Sequence, residues 1–198
     1  SGSSVYSSVI EVGVEIKDAN FPDDEFEIFV QRFDTGEKTG FLTSAELDAV
    51  TKINLEGTSS APHNCENVKG IEYFKNLATL QCGNGNLKEL NVKQNTKLTW
   101  IECQLAKLTE LDVSGLEKLE LLECRGNYSM TSLNVSNCPI LNYLSCWQLG
   151  ITSLDVSTCP SLNYINCADT KLESLDVSQN GKLKTLYCQM SRLSEIDL

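Results

Sequence analysis

From residue 77 to the end of the chain, apolar and polar residues follow one repeated pattern. In each unit a Leu is followed three positions later by Leu or Ile, and two positions after that by Cys, and this pattern occurs six times. Successive cysteines are 21, 21, 22, 21 and 21 residues apart, at Cys82, Cys103, Cys124, Cys146, Cys167 and Cys188. A second apolar block follows, and in four units it ends in Asp-Val-Ser or Asn-Val-Ser. This regularity predicts a solenoid in which each unit forms one coil.

The packing of the coils follows from the same pattern. One unit cannot bury its apolar residues alone, so neighbouring coils stack and share a continuous core. Stacking predicts a short parallel strand at the Leu-x-Cys step, with neighbouring strands about 4.8 Å apart, and it places the cysteines in one internal column. The third unit holds one residue more than the others, near 126–129, and we expect that residue to bulge outward.

The full frame, L-x-x-L-x-C-x-x-x-x-L-x-x-L-D-V-S, has the leucine spacing and period of leucine-rich repeats. With phrases such as Leu-Asn-Tyr-Leu-Ser-Cys at 141–146 and Thr-Ser-Leu-Asp-Val-Ser at 152–157, it resembles bacterial surface internalins of the branch whose 21-residue repeats carry a cysteine in place of one strand leucine. It is also similar to leucine-rich-repeat lipoproteins of gut anaerobes. The resemblance implies an α/β-type repeat solenoid: a right-handed coil with a parallel β-sheet on its concave face and a small helical N-terminal cap.

One feature of that family is largely missing. Internalin-like repeats often carry an Asn that forms a hydrogen-bonded ladder, and only one of the six corresponding residues here is Asn: Gly85, Ala106, Asn127, Leu149, Thr170 and Ser191. The turns at this position must therefore be satisfied in another way.

Before residue 77 the sequence predicts a cap. Residues 9–16 alternate in the manner of a strand, with its apolar side at Ile10, Val12, Val14 and Ile16. Asp23 or Asp24 can cap a helix whose apolar face holds Phe26, Phe29, Val30 and Phe33. Thr43 and Glu46 form the capping-box pattern of a second helix.

We therefore divide the chain into three parts. Residues 1–8 are expected to be a flexible stub, 9–76 the helical cap with an irregular first coil, and 77–198 six repeats of which the last is incomplete. All six phenylalanines precede residue 75, as expected if the cap has a separate aromatic core.

The loop between the two predicted helices invites comparison with a calcium-binding EF-hand, because Asp34 and Glu46 stand at its ends. An EF-hand loop has 12 residues, acids at positions 1, 3 and 5, and Gly at position 6. This segment is one residue too long, with Gly at position 3 and Lys at position 5. We interpret it as a degenerate turn and predict no metal.

The cysteines do not suggest a reactive site. A metal needs three or four converging ligands, whereas a straight column offers each thiol at most two neighbours, so we interpret the column as buried thiols that fill space. Cys138 and Cys159 recur at one turn position, and either a disulfide or a stacked thiol pair fits their spacing. His63 and Cys65 stand two positions apart, which is poor geometry for a catalytic pair. We predict no enzymatic activity and no cofactor.

Charge narrows the choice of partners. The net charge is -11, and residues 1–76 hold 14 acids against 6 bases while residues 77–198 hold 13 against 10. No Lys/Arg cluster is present to neutralise phosphates, which argues against nucleic acid and anionic membranes. No apolar run reaches the roughly 18 to 20 residues that span a bilayer.

Alternation along each strand predicts a binding face. If the Leu or Ile and the Cys of each strand point inward, both tryptophans and three of the six tyrosines project from the concave face. Large aromatic side chains dominate binding hot spots. The proposed contact residues are Trp100, Glu102, Glu123, Arg125, Tyr143, Trp147, Tyr164 and Tyr187. The alternative is that these aromatic residues only stabilise the sheet by cross-strand packing.

The functional prediction is a non-enzymatic module that binds a host or environmental protein or glycan through this face. The family resemblance implies that it is secreted or anchored at the cell surface. The alternative is a structural component that self-associates through its C-terminal end, where Leu183, Leu193, Ile196 and Leu198 need a cover.

Overall fold

The computed structural model describes residues 13–36, 38–57 and 63–197. The predicted stub at 1–8, the strand residues Ile10 and Val12, and Leu198 lie outside these ranges.

The N-terminal part holds the only described α-helices. Strand β1 (Val14–Glu15) pairs antiparallel with β2 (Phe41–Leu42). Between them, helix α1 (Asp24–Val30) continues into a 3-10 turn (Gln31–Phe33), and helix α2 (Ser44–Ala49) follows β2. A second 3-10 turn (Ile71–Tyr73) leads into the repeats.

A seven-stranded parallel sheet runs through the coils. Neighbouring strands pair in strict register, so that the middle residue of each faces the middle residue of the next. Numbered along the chain, the strands are β3 (Lys52–Asn54), β4 (Thr79–Gln81), β5 (Trp100–Glu102), β7 (Leu121–Glu123), β9 (Tyr143–Ser145), β10 (Tyr164–Asn166) and β12 (Thr185–Tyr187). The predicted parallel strand at the Leu-x-Cys step and the predicted solenoid are confirmed.

The second apolar block of the repeat forms two smaller parallel sheets. Strand β6 (Glu110–Asp112) pairs with β8 (Ser132–Asn134), and β11 (Ser174–Asp176) pairs with β13 (Glu195–Asp197). In this block Asp112, Asn134, Asp155 and Asp176 each accept a hydrogen bond from the backbone N–H of the serine two residues later. The recurring Asp-Val-Ser step is therefore an Asx-turn that ends each block.

The core is one column of leucine, isoleucine and cysteine side chains. The middle residue of each inner strand and the cysteine two positions later are fully buried, as in Ile101 with Cys103 and Leu144 with Cys146. In the last coil Leu186 and Cys188 are only half-buried, because no described coil packs beyond them. The predicted aromatic core of the cap is not separate: Phe33 meets Phe74 at 5.6 Å between ring centroids, and Phe74 belongs to the same buried cluster as the leucines.

Five of the six column cysteines have a backbone carbonyl that accepts a hydrogen bond from a side chain, and the donors are of four residue types. Asn127 Nδ2 donates to the carbonyls of Cys103 and Cys124 at 2.9 and 2.8 Å. Thr170 and Ser191 donate through their hydroxyls to the cysteine three residues before each. In the repeat of Cys82 the corresponding residue is Gly85, and its missing side chain leaves room for the His63 ring, whose Nε2 lies 3.0 Å from the Cys82 carbonyl.

At the opposite turn of each coil lies a second column of buried residues, which we call the second ladder and which was not predicted from the sequence. Its members are spaced like the repeats and are all buried: Asn95, Leu116, Cys138, Cys159 and Asn180. Four of the five donate a side-chain hydrogen bond to a carbonyl of the preceding coil, at Ile71, Val113, Val135 and Val156. Cys138 and Cys159 are free thiols that replace asparagine as donors, rather than partners in a disulfide.

Each coil also turns through a residue with a left-handed backbone, two positions after the column cysteine. Leu105 and Met190 adopt φ values of 51° and 58° there, where Gly126 has 69°. Such a conformation costs a non-glycine residue roughly 1 kcal/mol. The extra residue of the third repeat falls just after this turn and leaves Tyr128 exposed, as expected.

Asp23 joins the cap to the solenoid. Its Oδ1 accepts the Phe26 N–H at 3.0 Å and so caps α1, while its Oδ2 accepts the N–H groups of Glu66 and Asn67 at 2.6 and 3.2 Å. Burial alone would raise the pKa of this carboxyl, but the backbone hydrogen bonds outweigh burial and lower it.

Glu46 organises the loop that resembles an EF-hand. The predicted capping box with Thr43 is present. The other carboxylate oxygen accepts the backbone N–H groups of Thr35 and Gly36 at 2.8 and 3.2 Å. The Asp34 carboxylate accepts the Gly40 N–H at 2.9 Å. Both acidic ends of the loop are therefore used to bind backbone amides.

We expect the thiol of Cys159 to stabilise the fold as a hydrogen-bond donor. In Cys159→Val the Val135 carbonyl would be left buried without its side-chain donor, which costs about 1–2 kcal/mol. Cys146→Val is the matched control, because this buried column thiol has no described hydrogen bond to lose. The free energy of unfolding in urea should fall further for Cys159→Val than for Cys146→Val. Equal losses would contradict the second ladder.

We also expect Glu46 to make the cap sensitive to acid. Hydrogen bonds from Thr43 and Thr35 lower its pKa from 4.5 to about 2. A carboxyl with a lowered folded-state pKa stabilises the protein above its unfolded pKa, and this contribution disappears as the pH falls through 2. The melting temperature should therefore differ more between wild type and Glu46→Gln at pH 7 than at pH 2. An exposed control, Glu117→Gln, should show no such change in the difference.

Candidate binding face

The outward side of the seven-stranded sheet, which we call the concave face, is built from three columns of side chains. The first and last residues of each strand alternate with the buried middle residue, and a third column follows two positions after the strand. All eight predicted contact residues lie in these columns, on β5, β7, β9, β10 and β12 or directly after them.

The C-terminal half of the face carries a cluster of tyrosines. Tyr143 and Tyr164 are register partners on β9 and β10, and their rings stack with centroids 4.4 Å apart and an interplanar angle of 6°. Tyr187 packs edge-on against Tyr164 at 5.9 Å and is 45% exposed. Burial, the Glu123 charge and the neighbouring Tyr164 raise the pKa of Tyr143 to about 12.

Arg125 connects this cluster to the acidic side of the face. Its guanidinium lies 5.4 Å from the ring centroid of Trp147, a cation–π contact, and its Nε lies 3.3 Å from Oε1 of Glu123. The arginine therefore partly neutralises one glutamate while covering one tryptophan.

Trp100 stands apart from the other aromatic residues. It begins β5, and Leu121 of β7 separates it from Tyr143 of β9 in the same register row. Two strand spacings amount to about 10 Å. Its side chain is 42% exposed, and no described aromatic ring stacks on it. Sheet stabilisation accounts for the tyrosine stack, but it leaves the exposure of Trp100 unexplained.

Glutamines and glutamates line the N-terminal half of the face. Gln81 Nε2 donates to Glu102 Oε2 at 2.6 Å, across β4 and β5. Gln104 Nε2 donates to Glu56 Oε1 at 2.7 Å, passing over Gly83, where any side chain would collide with it. Gln81, Gln104 and Glu56 were not among the predicted contact residues. The two glutamines stand in the predicted columns. Glu56 also lies in the third column, two positions after β3, but the sequence predicted an irregular coil there instead of a strand.

The carboxyl of Glu123 is in an unfavourable environment for its charge. Burial raises its pKa most, and the neighbouring Glu102 raises it further, against hydrogen bonds from Ser145 and the charge of Arg125. Glu102 and Glu123 are register partners on adjacent strands. Two like charges are thus held side by side at the centre of the face.

The remaining candidate groups are engaged elsewhere. Cys65 Sγ donates to the Asn67 carbonyl at 2.9 Å, and burial raises the pKa of this thiol. His63 faces the Cys82 carbonyl rather than Cys65. Among the residues in 13–36, 38–57 and 63–197, no group of three or more His, Cys, Asp or Glu side chains is placed to hold a metal ion. No helix in the same ranges is long and apolar enough to cross a membrane.

No protein-family model and no curated protein sequence matches the chain. Solved structures do resemble it. Internalin C2 from Listeria monocytogenes is 20% identical with a TM-score of 0.57, and the likeness covers 95% of this chain and 92% of that one. Internalin F from the same organism is 20% identical with a TM-score of 0.55, over 96% of this chain and 66% of that one. A chain of the LRIM1/APL1C complex is 18% identical with a TM-score of 0.56, over 68% of this chain and 26% of that one. The chain therefore has the leucine-rich-repeat fold of internalin structures, as the sequence predicted.

Proposed function

We propose that this chain is a non-enzymatic binding module that recognises a protein or glycan outside the cell through its concave face. The observation that carries the proposal is the exposure of Trp100 and Tyr187 on a sheet whose strand register fixes the position of each residue on the face. Large apolar rings on an ordered face, bordered by polar groups, are typical of interaction sites.

The comparisons support this proposal at the level of the fold. One similar structure, the LRIM1/APL1C complex, is an assembly of proteins. Secretion or attachment to the cell surface rests on the likeness to internalins. The absence of catalysis rests on His63, Cys65 and the paired turn thiols Cys138 and Cys159, which are bonded to backbone carbonyls, and on the burial of every other described thiol except Cys188.

Aromatic substitutions on the concave face test the proposal. The purified protein would be screened on arrays of extracellular-matrix proteins, mucins and polysaccharides, and the affinity of each bound component measured. In Trp100→Ala and Tyr187→Ala each affinity should fall about 30-fold, since a hot-spot ring contributes about 2 kcal/mol or more. Tyr128→Ala is the matched control, because Tyr128 is 67% exposed but lies on the bulged turn. Circular dichroism would confirm that the variants fold.

If both substitutions leave every affinity unchanged, the concave face is not the binding site. The same conclusion follows if Tyr128→Ala reduces affinity as much as they do.

A second candidate function is self-association through the last described coil. Leu183, Leu186 and Leu193 are only half-buried there, whereas Leu162, Ile165 and Leu172 of the coil before are fully buried. Strands β12 and β13 each pair on one side only within the described residues. The last described coil thus combines half-buried apolar side chains with strand edges that have no partner among the described residues, and this combination favours strand addition.

Sedimentation velocity over a concentration series tests this alternative. Self-association should appear as a rising average mass that Ile196→Lys abolishes. Ile140→Lys is the matched control, since Ile140 and Ile196 are 41% and 39% exposed and only Ile196 lies on the last coil. A constant monomer mass, or equal association of the Ile196→Lys variant, would remove the alternative.

A further inference from the structure

Three buried oxygen atoms on the concave face accept no hydrogen bond in the described part of the protein. They are Oε1 of Gln81, of Gln104 and of Glu123. The Glu123 oxygen is 3.3 Å from Arg125 Nε, an ion-pair distance without hydrogen-bond geometry. Gln104 is only 8% exposed. Leaving buried polar atoms without partners is costly, and a ligand that lets these side chains turn toward a hydrogen-bond donor would remove that cost.

The orientation of both glutamine amides is determined by their neighbours. Each Nε2 donates to a carboxylate, that of Gln81 to Glu102 and that of Gln104 to Glu56. A flipped amide would place its oxygen against a carboxylate oxygen, which is repulsive. The two glutamine oxygens are therefore acceptors without a donor among the described residues, and a group that donates hydrogen bonds can satisfy them.

The charge of this region selects a cation. Glu102 and Glu123 are neighbours in register, and Glu56 is held near them by Gln104. Arg125 is the one described cation in contact with these carboxylates, and it is also held over the Trp147 ring. A positively charged ligand would offset the repulsion between Glu102 and Glu123.

Trp100 provides an exposed aromatic ring beside these carboxylates. It lies two residues before Glu102 on the same strand, so both side chains project from the same side of the sheet. An exposed indole beside two carboxylates suits a planar cation, which can stack on the ring while its N–H groups reach the oxygens. A guanidinium group has five such donors in one plane, whereas an ammonium group is a compact point charge.

We propose that Gln81, Trp100, Glu102, Gln104 and Glu123 form a cation subsite that receives an arginine side chain of a protein partner. The subsite rests on the proposed function and deepens it, since it selects protein over neutral glycan as the ligand. The tyrosine cluster then contacts an adjacent apolar part of the same partner.

The probe for this subsite is N-acetyl-arginine methylamide, with the citrulline analogue as a neutral control of the same shape. Nuclear magnetic resonance would follow the Trp100 indole N–H and the side-chain amides of Gln81 and Gln104 during titration. The arginine probe should shift these signals saturably, and the citrulline probe should not.

The double variant Glu102→Gln and Glu123→Gln should weaken binding of the arginine probe by about tenfold or more, because it removes both charges. The matched control carries Glu89→Gln and Glu110→Gln, which are exposed and outside the three columns of the concave face, and should bind as the wild type does. The subsite is overturned if the signals do not move, if citrulline moves them equally, or if the Glu102/Glu123 variant binds unchanged.

These results can be separated from a failure of the proposed function. If the aromatic substitutions abolish array binding but the arginine probe does not bind, the concave face is supported as the binding site and the cation subsite is refuted. If the arginine probe binds but substitution of Trp100 and Tyr187 leaves array binding unchanged, the cation subsite is supported and the proposed function is refuted. Array ligands that are neutral polysaccharides, bound equally by the Glu102/Glu123 variant, would also contradict the choice of a protein ligand.

Discussion

The chain of this solenoid makes two turns in each coil, and at most of these turns a side chain donates a hydrogen bond to a buried backbone carbonyl. A carbonyl left without one costs about 1–3 kcal/mol. On one side Asn127 donates to a carbonyl of the preceding coil, and on the other side Asn95 and Cys159 do the same. These bonds hold only when successive coils are in step, which explains why the single extra residue is pushed outward at Tyr128 instead of shifting the register.

The same constraint prepares the face for binding. Because each strand is locked to its neighbours, the side chains of the concave face are positioned before any ligand arrives, and less conformational entropy is lost on binding. The two halves of the concave face differ in how many of their side-chain groups find a partner within the protein. In the C-terminal half, Tyr143 and Tyr164 satisfy each other by stacking. In the N-terminal half, the buried oxygens of Gln81 and Gln104 accept no hydrogen bond among the described residues, and no described aromatic ring stacks on Trp100.

The regular part of the fold could be predicted because the need to bury apolar side chains recurs at an almost constant spacing along the sequence. Burial of Leu80, Ile101 and their counterparts determines which residues point inward, and alternation then determines which point outward. The second ladder could not be predicted, because Asn95, Cys138 and Asn180 share only the ability to donate a hydrogen bond and not a residue type. The hydrogen bonds of Glu56 and His63 could not be predicted either. Both residues come from the segment before residue 77, where the Leu-x-x-Leu-x-Cys pattern has not yet begun.

The most direct test of the stacked coils is the reactivity of the nine cysteines. All nine are free, and only Cys188 on the last coil is partly exposed. A colorimetric thiol reagent should therefore react rapidly with one cysteine of the native protein, identified as Cys188 by mass spectrometry, and with all nine after unfolding in urea without reductant. Rapid reaction of several column cysteines in the native protein, or fewer than nine reactive thiols after unfolding, would contradict the account.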